Sequence, residues 1–171
     1  MNSKPNSRSD RLAYSSEKNQ RIYEFIKSQP VGILATVGLE GKPHAAVIYY
    51  SVDDDFNFTF VTKRDTTKCK NLDINPNAML VVYEARTQTT VQVVARAEVM
   101  TDRKSFDDAY HEMRMAAMIT SEAGVPPLAK LESGGFVAYR LKPSLVNMAV
   151  FMRPESGNDS LYETIDLTLM G

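Results

Sequence analysis

The chain has 171 residues, 43% of them hydrophobic and 24% charged, with a formal net charge of −1. That length points to one domain with room for a real core, and that balance provides no overall basic field for nucleic acid. A single cysteine, Cys69, excludes an internal disulfide framework and points to a reducing compartment. No apolar run is long enough to span a membrane, and the opening MNSKPNSRSD lacks the apolar core of a signal peptide, so the expectation is a soluble, cytoplasmic protein with no membrane partner.

In chain order, residues 1–14 are polar and rich in Ser and Asn, which predicts a disordered tail. Ser15 or Ser16 is placed to cap a helix running to about Ser28, with Ile22, Phe25 and Ile26 on its buried side, and Pro30 stops it. A strand follows from Val31 to Val37, then a turn over residues 39–42. His44 to Val52 reads as one strand, and Asp53-Asp54-Asp55 as the turn after it. Phe56, Phe58 and Phe60 alternate on one face of a strand ending at Val61-Thr62.

The chain then turns through Lys63-Arg64-Asp65, and a short helix begins with Thr66-Thr67-Lys68. A helix start exposes unpaired backbone N–H groups and the positive end of the helix dipole. Two hydroxyls and a lysine in that turn make a seat for a phosphate. There is no Gly-x-Gly-x-x-Gly and no Walker pattern, so the usual nucleotide folds are not indicated. Read without any relative in view, Lys63, Arg64, Lys68 and Lys70 form a solvated basic face, and Thr66 and Thr67 cap the helix.

Asn75-Pro76-Asn77 breaks the helix, and Met79 to Tyr83 forms the next strand. From Thr90 to Val99 the alternation puts Val91, Val93, Ala95, Ala97 and Val99 on one face. Phe106, Tyr110, Met113 and Ala117 fall at helical spacing after Asp102, and Met113, Met115 and Met118 belong to core or dimer packing there. Gly124 to Pro127 reads as a loop, Gly135 to Leu141 as a strand closed by Pro143, and Leu145 to Phe151 as a last strand. The division expected is a tail over 1–14, a domain over 15–152, and a terminal segment over 153–171 that is either a dimer arm or loose. His44 is expected at the surface, and His111 has no His or Cys at ligand spacing for zinc. Cys69 at a helix start has no His or Asp partner for nucleophilic catalysis. Short neighbouring antiparallel strands with a few helices predict a small, mainly β (α+β) closed or partly closed barrel, with ligands at its rim or at a subunit contact.

Ile33-Leu-Ala-Thr-Val37, the Gly-Leu-Glu turn and Gly41-Lys-Pro43 resemble the opening strand pair of the pyridoxamine 5'-phosphate oxidase-like, FMN-binding split-barrel superfamily. The spacing from Pro43 to Thr62 and on to Asn75-Pro76 is also similar, and Thr66-Thr67-Lys68-x-x-Asn71-Leu72 resembles the family's Ser-x-Lys-x-x-Asn-Leu phosphate signature. The resemblance covers roughly residues 16–150. It implies a six-stranded antiparallel Greek-key split β-barrel with flanking helices, a homodimer, and FMN held at the subunit interface. It also implies that Val47, Ile48, Tyr49, Tyr50 and Ser51 lie along the flavin ring, their backbone touching it. Of Tyr49 and Tyr50, on opposite faces of a strand, one belongs to the core or a dimer contact. Val61, Thr62 and Lys63 would lie on the ribityl and phosphate side, Thr66, Thr67 and Lys68 would hold the phosphate, and Thr90 would reach the flavin of the other subunit.

The chain departs from that pattern at two basic positions. Ala46 stands where the family has an arginine and Ser51 where it has a lysine, which leaves Lys63, Arg64 or Lys70 to supply charge. Asp65 would repel a phosphate unless it turns in as the helix cap. The family's Trp and Arg-x-His pattern for flavin and substrate is absent. The expectation is therefore an FMN-dependent oxidoreductase of a small organic molecule, with a nicotinamide donor, rather than a true pyridoxamine phosphate oxidase. The rivals are a deazaflavin-dependent reductase and a non-enzymatic flavin- or haem-binding stress-response module. No catalytic acid, base or metal ligand is expected, because the flavin carries the redox chemistry.

Overall fold

The structure is a computed structural model and describes residues 17–120, 135–152 and 161–168. The tail expected over 1–14, the Ser15 or Ser16 cap and the Gly124–Pro127 loop lie outside these residues. Helix α1 (Glu17–Ser28) leads into β1 (Val31–Val37), a short 3-10 turn (Leu39–Gly41), β2 (Pro43–Tyr49), β3 (Ser51–Val52) and β4 (Phe58–Lys63). Helix α2 (Thr67–Ile74) then precedes β5 (Asn77–Glu84) and β6 (Thr89–Val99), and α3 (Arg103–Thr120) precedes β7 (Phe136–Val150) and β8 (Tyr162–Asp166).

All pairings are antiparallel, and the sheet runs β2-β1-β5-β6-β7-β4-β3, with β8 added on β7. Its two end strands, β2 and β3, are separated in the chain by Tyr50 alone. The sheet therefore curls until one continuous segment, 43–52, forms both of its edges. Counted that way the barrel has six staves in Greek-key order, and β8 is an addition outside them. The crossover between β4 and β5 carries α2 over one end of the barrel, against β1 and β2. Closing the sheet in this way leaves few unpaired edges.

The alternation of each strand fills the interior. Phe58, Phe60, Leu34, Leu80, Val82, Val91, Val93, Leu141 and Val146 are wholly or almost wholly enclosed, together with Ile22 and Ile26 of α1. A smaller cluster lies on the outside of the barrel, where Ala109 and Met113 of α3 cover Val61 and Ala138.

Three expected elements differ. The strand expected over 44–52 breaks at Tyr50, whose hydroxyl donates to the Ile26 carbonyl at 2.9 Å while its ring meets Phe58 edge-on at 5.4 Å. Phe56 is not in β4 but in the preceding turn, at φ 63°, with its ring against Tyr23. Pro143 does not end a strand: β7 continues through it, and the register with β6 shifts between Val94 and Ala95. A proline cannot donate to the ladder. The bulge absorbs that loss, and Ser144 Oγ donates to the Val94 carbonyl at 3.3 Å.

Beyond Leu141, β7 leaves β4 and takes β8 as its second neighbour, Leu145 to Ala149 facing Asp166 to Tyr162. Ile165 of β8 is buried in the main core, and Arg21 of α1 pairs with Glu163 at 3.0 Å. The segment Tyr162–Asp166 thus docks on its own chain.

Candidate functional site

The junction between β4 and α2 is organised by one carbonyl. Lys63 O accepts from Thr66 Oγ1 at 2.9 Å, from Cys69 Sγ at 3.1 Å and from the Thr66 backbone N–H at 3.4 Å. Thr66 occupies the cap position in extended backbone, yet its side chain makes no cap to α2 because the hydroxyl turns back to Lys63. Asp65 is exposed and is not the cap. The first-turn N–H groups of α2 are consequently left without a side-chain acceptor, an arrangement that favours an anion.

Lys68 stands in that first turn, half-buried, with no hydrogen bond or ion pair among the described residues. Burial holds its ammonium below the ordinary lysine value of 10.5, and the adjacent Cys69 partly offsets this. Thr67 and Lys70 are exposed beside it, and Arg64 is exposed with its backbone N–H donating to Gly135 O at 3.0 Å.

The inner face of the same helix does structural work. Asn71 is buried and donates through Nδ2 to Thr36 Oγ1 at 3.1 Å, which clamps α2 to the end of β1. Gly38 permits that approach: a Cβ there would lie 2.5 Å from Asn71 Oδ1. Leu72 and Cys69 enter the main core beside Tyr139, which stacks on Phe60 at 5.3 Å. Burial, with Cys69 adding to it, pushes the Tyr139 hydroxyl's pKa up.

Along 47–51 the side chains alternate. Ile48 and Tyr50 point into the core, and burial pushes the Tyr50 hydroxyl's pKa up. Val47 is 66% exposed, and Tyr49 packs at the margin of the outer cluster that contains Val61. Ser51 lies opposite Thr59. Thr62 and Lys63 are buried where β4 ends. The structure therefore gathers Val61, Thr62, Lys63, Thr66, Thr67 and Lys68 in one continuous stretch at the end of β4, with Tyr49 packed near Val61, while Ser51 lies toward the other end of β4, opposite Thr59. Thr90 is not brought there: it pairs with Ala149, whereas Val61 pairs with Ala138 near the other end of β7. Its hydroxyl donates to Val82 O at 3.4 Å.

Two features escaped the sequence reading. His44 is half-buried, and its enclosed Nδ1 finds no hydrogen-bond partner. Between α3 and the barrel lies a polar cavity of about 220 Å³ lined by Ser51, Thr59, Ser105, Asp108, Glu112 and Arg140 among others. Strand alternation places Thr59 and Arg140 side by side in register, but no local motif joins them to α3. Among the described residues no group of three or more His, Cys, Asp or Glu is arranged to hold a metal, and no helix is long and apolar enough to cross a membrane.

The sequence model of the family described as pyridoxamine 5'-phosphate oxidase matches residues 19–148. A pyridoxine/pyridoxamine 5'-phosphate oxidase of Pseudomonas putida is 35% identical over 81 residues, which is 47% of this chain and 37% of that protein. The chain thus matches little more than a third of the length of such relatives. Among solved structures, a heme binding protein from Mycobacterium smegmatis superposes with a TM-score of 0.65 at 16% identity, over 88% of this chain and 58% of that one. A FAD-binding protein from Mesorhizobium loti gives 0.58 at 18% identity, over 76% and 90%. Both share the split-barrel fold.

Proposed function

The chain belongs to the pyridoxamine 5'-phosphate oxidase family, and on that premise we propose that it is an FMN-dependent oxidoreductase of a small organic molecule, working as a homodimer with the flavin between subunits. The observation that carries the reading is the uncapped first turn of α2 with Lys68 beside it: a half-buried cation without a carboxylate, next to unmet backbone donors. Those groups fit a phosphate monoester, to which charge-assisted hydrogen bonds are strong.

In this reading Lys68 and the N–H groups of Thr67 and Lys68 hold the phosphate, and the backbone of 47–51 and 61–63 lies along the ribityl chain and ring. Bound flavin supplies the hydride chemistry. The chain's task is placement and exclusion of water, which is consistent with the lack of an acid–base pair around the turn. The exposed apolar pairs on the outer sheet, Ile33 opposite Val47 and Met79 opposite Val94, support a covered face. Because the chain lacks the family's Trp and Arg-x-His pattern, pyridoxamine phosphate is not the substrate proposed. Because Ala46 and Ser51 carry no charge, a dissociable ligand such as a deazaflavin coenzyme is the second reading.

The test is the visible absorption spectrum of the purified protein, before and after FMN is added and excess removed by desalting. Retained flavin bands support the proposal. A protein that holds no FMN overturns it, and reduction of added deazaflavin, or a haem Soret band, would then identify the alternative.

A further inference from the structure

The cavity beneath α3 brings a guanidinium and two carboxylates to one space without a direct ion pair between them. Arg140 is half-buried; its Nε is enclosed without an acceptor, and no hydrogen bond or ion pair engages its guanidinium among the described residues. Asp108 and Glu112, one turn apart on α3, line the same space and likewise make no hydrogen bond or ion pair. Neither approaches Arg140 closely enough to pair with it. The neighbouring carboxylates are hydrogen-bonded or paired with other groups, although the Arg140 charge is close enough to Asp102 to help hold its carboxyl below the usual range. Glu98 pairs with Lys142 at 2.7 Å, Asp102 accepts the Ser105 N–H at 2.8 Å, and Asp53 accepts from Asn57 N at 2.8 Å.

A guanidinium that lines a polar cavity without an acceptor there offers its donors to an anionic group of a ligand. The inner wall offers Arg140 with the Ser51 and Thr59 hydroxyls, which suits a carboxylate. The α3 wall offers Asp108 and Glu112, which suits an ammonium group. We propose that this cavity binds a small amino acid zwitterion, its carboxylate on Arg140 and its amine toward Asp108 and Glu112. The volume admits a molecule of several heavy atoms and nothing of flavin size. The site uses none of the residues of the β4–α2 turn. It shares Ser51, through its hydroxyl, with the segment whose backbone is proposed to line the flavin, and titration with and without FMN separates the two proposals.

The experiment is calorimetric titration of the full chain as purified, with and without added FMN, using each free amino acid and then the N-acetyl and amide forms of any that binds. The expected result is millimolar or tighter binding of at least one free amino acid, weakened at least about tenfold by blocking either charge. Arg140→Gln should abolish it, and Asp108→Asn with Glu112→Gln should weaken it about as much as the N-acetyl block does. Both carboxylates are exposed on a helix, so that double variant keeps a folded control should Arg140→Gln fail to fold. No binding of any amino acid up to about 10 mM, or binding indifferent to the double variant, overturns the assignment.

Discussion

Lys68 is where local structure and proposed chemistry meet. It is half-buried in the first turn of α2 and lies outside the core cluster, so removing the side chain deletes a charge without opening the core. Lys68→Ala should weaken FMN binding by about 1.5–3 kcal/mol, roughly ten- to hundredfold, measured by fluorescence titration. The sign of the pH dependence follows from burial. With its proton held less firmly than in an ordinary lysine, Lys68 loses its charge at a pH below 10.5, and affinity should fall as that limb is crossed. On the acid side affinity should rise as the phosphate takes its second charge, near pH 6. The variant should keep the acid limb and lose the alkaline one. Burial works against the protonated form of Lys68, so the folded state gains as pH climbs through its lowered pKa toward 10.5. In flavin-free protein at neutral pH, Lys68→Ala should therefore not lower the melting temperature. An affinity unchanged by the substitution would move the phosphate away from this turn.

At the scale of elements, the turn between β4 and α2 was legible because its signals are contiguous. A strand of alternating aromatics, a break and a helix start fall within a few residues, and the structure brings that stretch together as one turn. What holds the turn in place was not legible, because Asn71 lies 35 residues from Thr36 and meets it and the nearby Gly38 only when the Greek-key crossover lays α2 on β1. Pro143 misled for a related reason. Its missing donor is a local fact, while the bulge that accommodates it depends on β6. The docking of β8 likewise depends on a partner strand that no local pattern names. Gly38→Ala tests the clamp. The added Cβ must displace Asn71 from its bond to Thr36, so the protein should lose about 1–3 kcal/mol in chemical denaturation. FMN affinity should fall in the same variant, because the displaced helix carries Lys68. Unaltered stability would mean that Asn71 has room to move and that the clamp does not position α2.

For the whole molecule, a barrel was anticipated from strand spacing and its six staves from the resemblance, but its outer face raises a question that belongs to no single element. Ile33, Val47, Met79 and Val94 present apolar surface on the side away from the core, at positions where alternation in a monomer would place polar residues. Thr90 of β6 pairs with Ala149, far along β7 from Ala138, the partner of Val61 near the β4–α2 turn, so a flavin touched by both Thr90 and that turn needs a second copy. The pair Met79→Lys and Val94→Lys, directly opposite each other in register, adds like charges to that face without touching the turn. By light scattering after size exclusion, the double variant should run as a monomer. If the flavin lies between subunits, its FMN affinity should fall with the dimer although Lys68 and its helix are intact. A monomer that binds FMN as well as the parent would show that each chain holds its cofactor alone. A dimer that survives both lysines would place the subunit contact on another face.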